Sequence, residues 1–142
     1  MTNPIKNMYY SLWADAINYE RLKNGGENHW KAFTFVYMSI FMSLNILALL
    51  SAVLFFTGYE ITAKLKAQLE NIFSSELLIN FSWSLIMLFI PSFIITYFAV
   101  FYKNKYEYIL ENYKFKNGRL LFIYFCLTVI AFFGFSLLNK YL

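Results

Sequence analysis

The chain has 142 residues and a net charge of +4, with 60% of its residues hydrophobic, 23% aromatic and only 14% charged, against about 25% charged in an ordinary globular domain. So much apolar surface cannot be hidden inside one compact unit of this size, and lipid is the covering that composition calls for. The positive residues lie in patches between apolar runs rather than in one basic stripe, which speaks against a nucleic-acid partner and for membrane orientation signals.

Residues 1 to 30 lack the basic start, short apolar core and small-residue cleavage point of a secretory signal, so the first span is expected to direct insertion itself. Tyr9, Leu12, Trp13, Ala16 and Ile17 recur at helical spacing with Ser11, Asp15 and Asn18 facing elsewhere. That pattern predicts an amphipathic helix over about residues 8–22, lying flat in the cytoplasmic interface until Gly25 and Gly26 break it. Glu27, Asn28 and His29, which is the single histidine, come closest to a metal cluster. Two ligands beside a double glycine fall short of a zinc or di-metal set, and His29 next to Trp30 reads as a headgroup-level residue.

Three uncharged runs follow, at about 32–58, 77–102 and 120–139, each long enough to cross a hydrocarbon core roughly 30 Å thick as a helix. Three spans cannot close a barrel and the runs lack period-2 alternation, so the expected fold is all-α: an integral membrane protein of three transmembrane helices in a single domain. In the first span Thr34, Phe41, Asn45, Ala48 and Ala52 share one face, with Ser39 and Ser43 on another. Ile61, Leu65, Leu69, Ile72 and Phe73 then form an apolar stripe, with Lys64, Lys66, Gln68 and Glu70 turned to water, and predict a second surface helix over about 61–73.

In the second span Asn80, Ser84, Met87 and Pro91 align, and Pro91 cannot donate to the carbonyl of Met87, which predicts a kink or a freed acceptor. Tyr102, Tyr106, Ile109, Leu110 and Tyr113 continue the helical spacing, so the helix is expected to run on over about 103–113 until Asn117 and Gly118 end it. Glu107 and Glu111 stand one turn apart, with Lys103, Lys105 and Lys114 near enough for ordinary surface ion pairs. In the third span Tyr124, Thr128, Ala131 and Phe135 align, with Gly134 beside them. Small residues let helices approach and Asn or Ser bonds across the contact. Packing within the three-helix unit accounts for these faces first; the sharper reading leaves one of them for a partner. Cys126, the single cysteine, lies inside this apolar run.

No Ser-His-acid set, Walker loop or Gly-x-Gly-x-x-Gly motif occurs, and the spans hold no ionisable Asp, Glu, Lys, Arg or His. The sequence therefore predicts no enzyme, no cofactor, no metal and no small-molecule substrate. It points to an inner-membrane protein that acts by helix assembly, as a homo-oligomer or a subunit of a membrane complex. The alternatives are a passive or gated oligomeric pore, such as a depolarising effector of a toxin or defence system, and an immunity-type membrane protein.

Nine basic residues in the amino-terminal segment and second loop stand against three in the first loop and carboxyl terminus. The positive-inside rule thus predicts a cytoplasmic amino terminus and an extracytoplasmic carboxyl terminus. With Cys126 replaced by Ser, a cysteine at Gln68 should react with an impermeant thiol reagent in intact cells and one at Asn112 only after lysis. The opposite labelling would reverse the orientation, and labelling of both from outside would overturn three spans.

Overall fold

The computed structural model describes residues 3–23, 25 and 29–141, all helices and connecting turns with no strand among them. Helix α1 (Pro4–Lys23) starts where its sequence offers a cap: Pro4 takes the first helical position and the Asn3 side chain accepts the Ile5 N–H at 3.0 Å. Helix α2 (Trp30–Thr57) is the first span, closed by Gly58 in the left-handed region with its N–H on the Leu54 carbonyl. Helix α3 (Ala63–Ile72) occupies the first loop.

The second span runs through α4 (Glu76–Ser84), a π-helical turn at Leu85–Phe89, α5 (Ile90–Thr96) and a second π-helical turn at Tyr97–Phe101. After a short bend come α6 (Lys105–Asn112) and the third span, α7 (Arg119–Tyr141). Three helical stretches are therefore long and apolar enough to cross a membrane, as the hydropathy pattern requires. Their apolar side chains mostly point outward: Leu49, Phe56, Phe122, Leu127 and Ile130 are each more than half exposed. A surface of this kind is stable against hydrocarbon and not against water.

The expected consequence of Pro91 is met by widening rather than breaking the helix. The π-helical turn just before it lets the Ile90 N–H reach back five residues to the Leu85 carbonyl. One extra residue per turn rotates everything that follows, so the buried positions of this span are Ile79, Leu88, Ser92, Thr96 and Val100. The alignment of Asn80, Ser84, Met87 and Pro91, which assumes an unbroken period of 3.6, is not the buried stripe, and Asn80 is exposed.

The expected continuation of the second span over 103–113 is also interrupted. Lys103 (φ 54°) and Asn104 (φ 55°) both adopt left-handed backbone, and α6 is a separate helix. Lys105 Nζ donates to the Phe98 carbonyl at 2.9 Å, where a cation satisfies an end-of-helix acceptor.

Two compact units divide the chain, the first made of Met1–Ser39 and Phe93–Leu127, the second of Ile40–Ser92 and Thr128–Leu142. In the second unit α3 packs against α4 and its Leu69 is buried, while Lys64, Lys66, Gln68 and Glu70 face outward as their spacing predicts. Ile61 and Ile72, on the same apolar stripe, are not covered by protein. In the first unit α1 packs on α6, with Ile17 and Ile109 fully enclosed.

The bend at residues 102–104 yields a direct test. A left-handed conformation costs an ordinary L-residue about 1–2 kcal/mol that glycine does not lose. Lys103→Gly should melt at or above the wild-type temperature in detergent, and Lys103→Val clearly below it. Equal melting of the two variants would mean that the bend is not left-handed at this position.

Candidate functional site

The middle of α1 departs most from its amphipathic appearance. Trp13, Ala14, Asp15, Ala16 and Ile17 are all buried, and five consecutive residues at 100° each sweep the whole circumference of a helix. This turn is enclosed on every side instead of lying flat with a wet face. Tyr10 meets Tyr113 and Tyr108 edge-on, Trp13 meets Phe101 in the same way, and the Tyr113 hydroxyl donates to Asn7 Oδ1 at 3.0 Å. From the first span, the Tyr37 hydroxyl donates to the Ala16 carbonyl at 3.1 Å. Burial pushes the phenol of Tyr9 up from its ordinary value.

Asp15 is 0% exposed, and its carboxylate is fully used. Oδ1 accepts the backbone N–H groups of Lys116 at 2.7 Å and Gly118 at 3.0 Å; Oδ2 accepts those of Leu120 at 2.8 Å and Leu121 at 3.2 Å. The start of any helix leaves its first N–H groups without intrahelical acceptors. Here the accounting closes: Arg119 N–H goes to Lys116 O, Leu120 and Leu121 to Asp15, and Phe122 to Gly118 O. A residue about 100 positions upstream thus caps the third span, a task usually given to the residue just before the helix.

Burying a carboxylate costs several kcal/mol. Four charge-assisted bonds and the positive end of the α7 dipole offset that cost at one point. The loop is shaped to suit: Asn117 (φ 55°) and Gly118 (φ 75°) are left-handed, and a Cβ on Gly118 would lie 2.8 Å from the Tyr19 ring. Gly118 is required both by its backbone angle and by the close approach of α1.

A second polar feature of the first unit is an open cleft of ≈ 370 Å³ lined by Arg21, Trp30, Lys31, Tyr106, Glu107, Leu110 and Glu111. Lys31 Nζ donates to the Tyr106 hydroxyl at 2.9 Å, and the Tyr106 and Trp30 rings meet edge-on with centroids 5.4 Å apart. The surface ion pairs expected for Glu107 and Glu111 are not formed. Lys105 is engaged with Phe98 and Lys103 lies over the Tyr102 ring, while the ion pair found among the described residues joins Lys23 to Glu20. The two carboxylates border the cleft together with Arg21 and Lys31 instead.

In the second unit the polar residues of the spans find one another. Thr128 Oγ1 donates to Asn45 Oδ1 at 3.2 Å, and Ser43 Oγ lies 3.0 Å from Ser92 Oγ and 3.3 Å from the Leu88 carbonyl. Asn139 Nδ2 donates to the Ser51 carbonyl at 2.7 Å. Ser43, Ala48 and Thr128 are buried, whereas Ala52, Ser84 and Ala131 are half-buried. Gly134 meets nothing within 4 Å of where its Cβ would be, so it marks no close approach. Ser39, in the first unit, is fully buried.

Sequence reasoning missed Asp15, Asn139 and the cleft that Arg21 and Lys31 line together with the two glutamates. The available signal for Asp15 was its position inside an apolar quartet on a helix otherwise read as one-sided. Among the described residues no three His, Cys, Asp or Glu side chains gather as a metal site; Glu27 and Asn28 lie outside the described residues.

Asp15→Ala would leave four inward-facing N–H groups without an acceptor, at a cost of about 1–3 kcal/mol for the first and more for the set. The variant should lose at least about 3 kcal/mol of stability in detergent unfolding, and Asp15→Asn, which keeps one acceptor oxygen, should fall between. A loss under about 1 kcal/mol, within the range of surface changes and single caps, would show that the carboxylate does not hold the helix start.

The chain matches no protein-family model, no curated protein and no solved structure.

Proposed function

We propose that the protein is a non-enzymatic, multi-pass protein of the inner membrane that acts by assembling with another membrane protein or with a second copy of itself. The three apolar helices support the membrane reading, and the nine-to-three division of basic residues supports a cytoplasmic amino terminus.

The face on which Asn45 lies is engaged within the chain, since Thr128 already answers the carboxamide. Assembly therefore needs a different face, and Asn80 provides it. Asn80 is exposed on an apolar helix, has no side-chain hydrogen bond among the described residues, and has Leu77, which is 74% exposed, one turn before it on the same side. A carboxamide in such a setting gains by bonding to a neighbouring helix, by about 0.6–2 kcal/mol. The pore alternative has less support, because Ser43, Ser92 and Thr128 are buried against neighbouring helices of the chain rather than free to line a channel.

The two carboxamides separate these roles. Asn45→Leu should lower the melting temperature and leave the mass of the particle in mild detergent unchanged, whereas Asn80→Leu should lower that mass with little change in melting. A particle of single-chain mass for the unsubstituted protein would contradict self-assembly and leave a different membrane protein as the partner. Undiminished mass in Asn80→Leu would reject this face.

A further inference from the structure

We propose that the cleft bordered by Arg21, Lys31, Glu107 and Glu111 binds a zwitterion carrying a phosphate and a primary amine, the chemistry of an ethanolamine phospholipid headgroup. The inference is independent of helix assembly and needs only that α2 enters a membrane. Two cations and two carboxylates surround one opening of ≈ 370 Å³, inside the range of about 300–1,000 Å³ typical of small-molecule sites. Lys31 is held by the Tyr106 hydroxyl, Arg21, Glu107 and Glu111 are exposed, and none of the four is joined to another by an ion pair.

Facing charges that do not meet leave room for a guest that answers both signs. A simple anion would be repelled by Glu107 and Glu111, and a simple cation by Arg21 and Lys31. A phosphate on the guanidinium and ammonium, with an amine on the carboxylates, satisfies all four. Position favours a lipid as the source: Trp30 and Lys31 open the first span, where an indole and a lysine sit at headgroup level. Trimethylated choline lacks the N–H donors that the carboxylates would accept, so ethanolamine should be preferred over choline.

The full chain in mild detergent, mixed in turn with phosphatidylethanolamine, phosphatidylcholine and phosphatidylglycerol, can be read by native mass spectrometry. One phosphatidylethanolamine should be retained at least about tenfold above the other two. Glu107→Gln with Glu111→Gln should abolish that preference and favour phosphatidylglycerol, and Arg21→Gln should weaken ethanolamine retention without that switch. All three side chains are exposed, and unchanged melting would confirm intact folding of the variants. Competition by soluble O-phosphoethanolamine would support the free zwitterion as a sufficient ligand; retention of the lipid without such competition would place the source in the bilayer. Equal retention of the three lipids, a preference for phosphatidylglycerol in the unsubstituted protein, or unaltered selectivity in the double variant would overturn the proposal.

Discussion

A helix that begins at the edge of a membrane starts with N–H groups that neither its own carbonyls nor hydrocarbon can satisfy. In this protein Asp15 supplies the acceptors for the third span from the middle of α1, and the neighbouring features follow from that placement. The carboxylate can be buried only because four donors converge on it, and they converge only because Asn117 and Gly118 turn the loop in the left-handed region. Gly118 in turn admits the Tyr19 ring. Removing any of the three costs the others their purpose, so α1 is bound into the first unit by a charge as well as by apolar contact.

The two units use polar residues differently. In the second, neutral pairs such as Asn45 with Thr128 and Ser43 with Ser92 join spans through bonds that hydrocarbon makes worthwhile and that carry no net charge. The first contains the buried carboxylate, the Lys31 to Tyr106 bond and the mixed-charge cleft. Charged groups are affordable there because each is met by backbone donors, by a hydroxyl or by solvent. The buried carboxylate and the mixed-charge cleft thus both belong to the first unit, while Asn80 of the second is exposed.

The three spans were legible in the sequence because uninterrupted apolar runs of this length have few other structural solutions. So was the bond that Asn45 needs, since a carboxamide amid leucines must find a partner. The face of the second span was not legible, because Pro91 is accommodated by a π-helical turn whose extra residue shifts Leu88 and Ser92 onto the buried side. Asp15 was misread for a simpler reason: periodicity assigns polar residues to the wet side of a helix and has no term for a charge answered by a distant helix terminus. Glu107 and Glu111 had lysines within one turn, and only the three-dimensional structure reveals that Lys105 is spent on the Phe98 carbonyl.

The structural role of the Asp15 carboxylate is tested most directly by residue-resolved amide hydrogen exchange of the full chain in detergent. Amides at a helix start ordinarily exchange fast for want of an acceptor. The N–H groups of Lys116, Gly118, Leu120 and Leu121 should instead exchange slowly, at rates close to those of the buried turn from Trp13 to Ile17, and should become fast together in Asp15→Ala. Fast exchange of these four amides in the unsubstituted protein, with α1 protected, would contradict it.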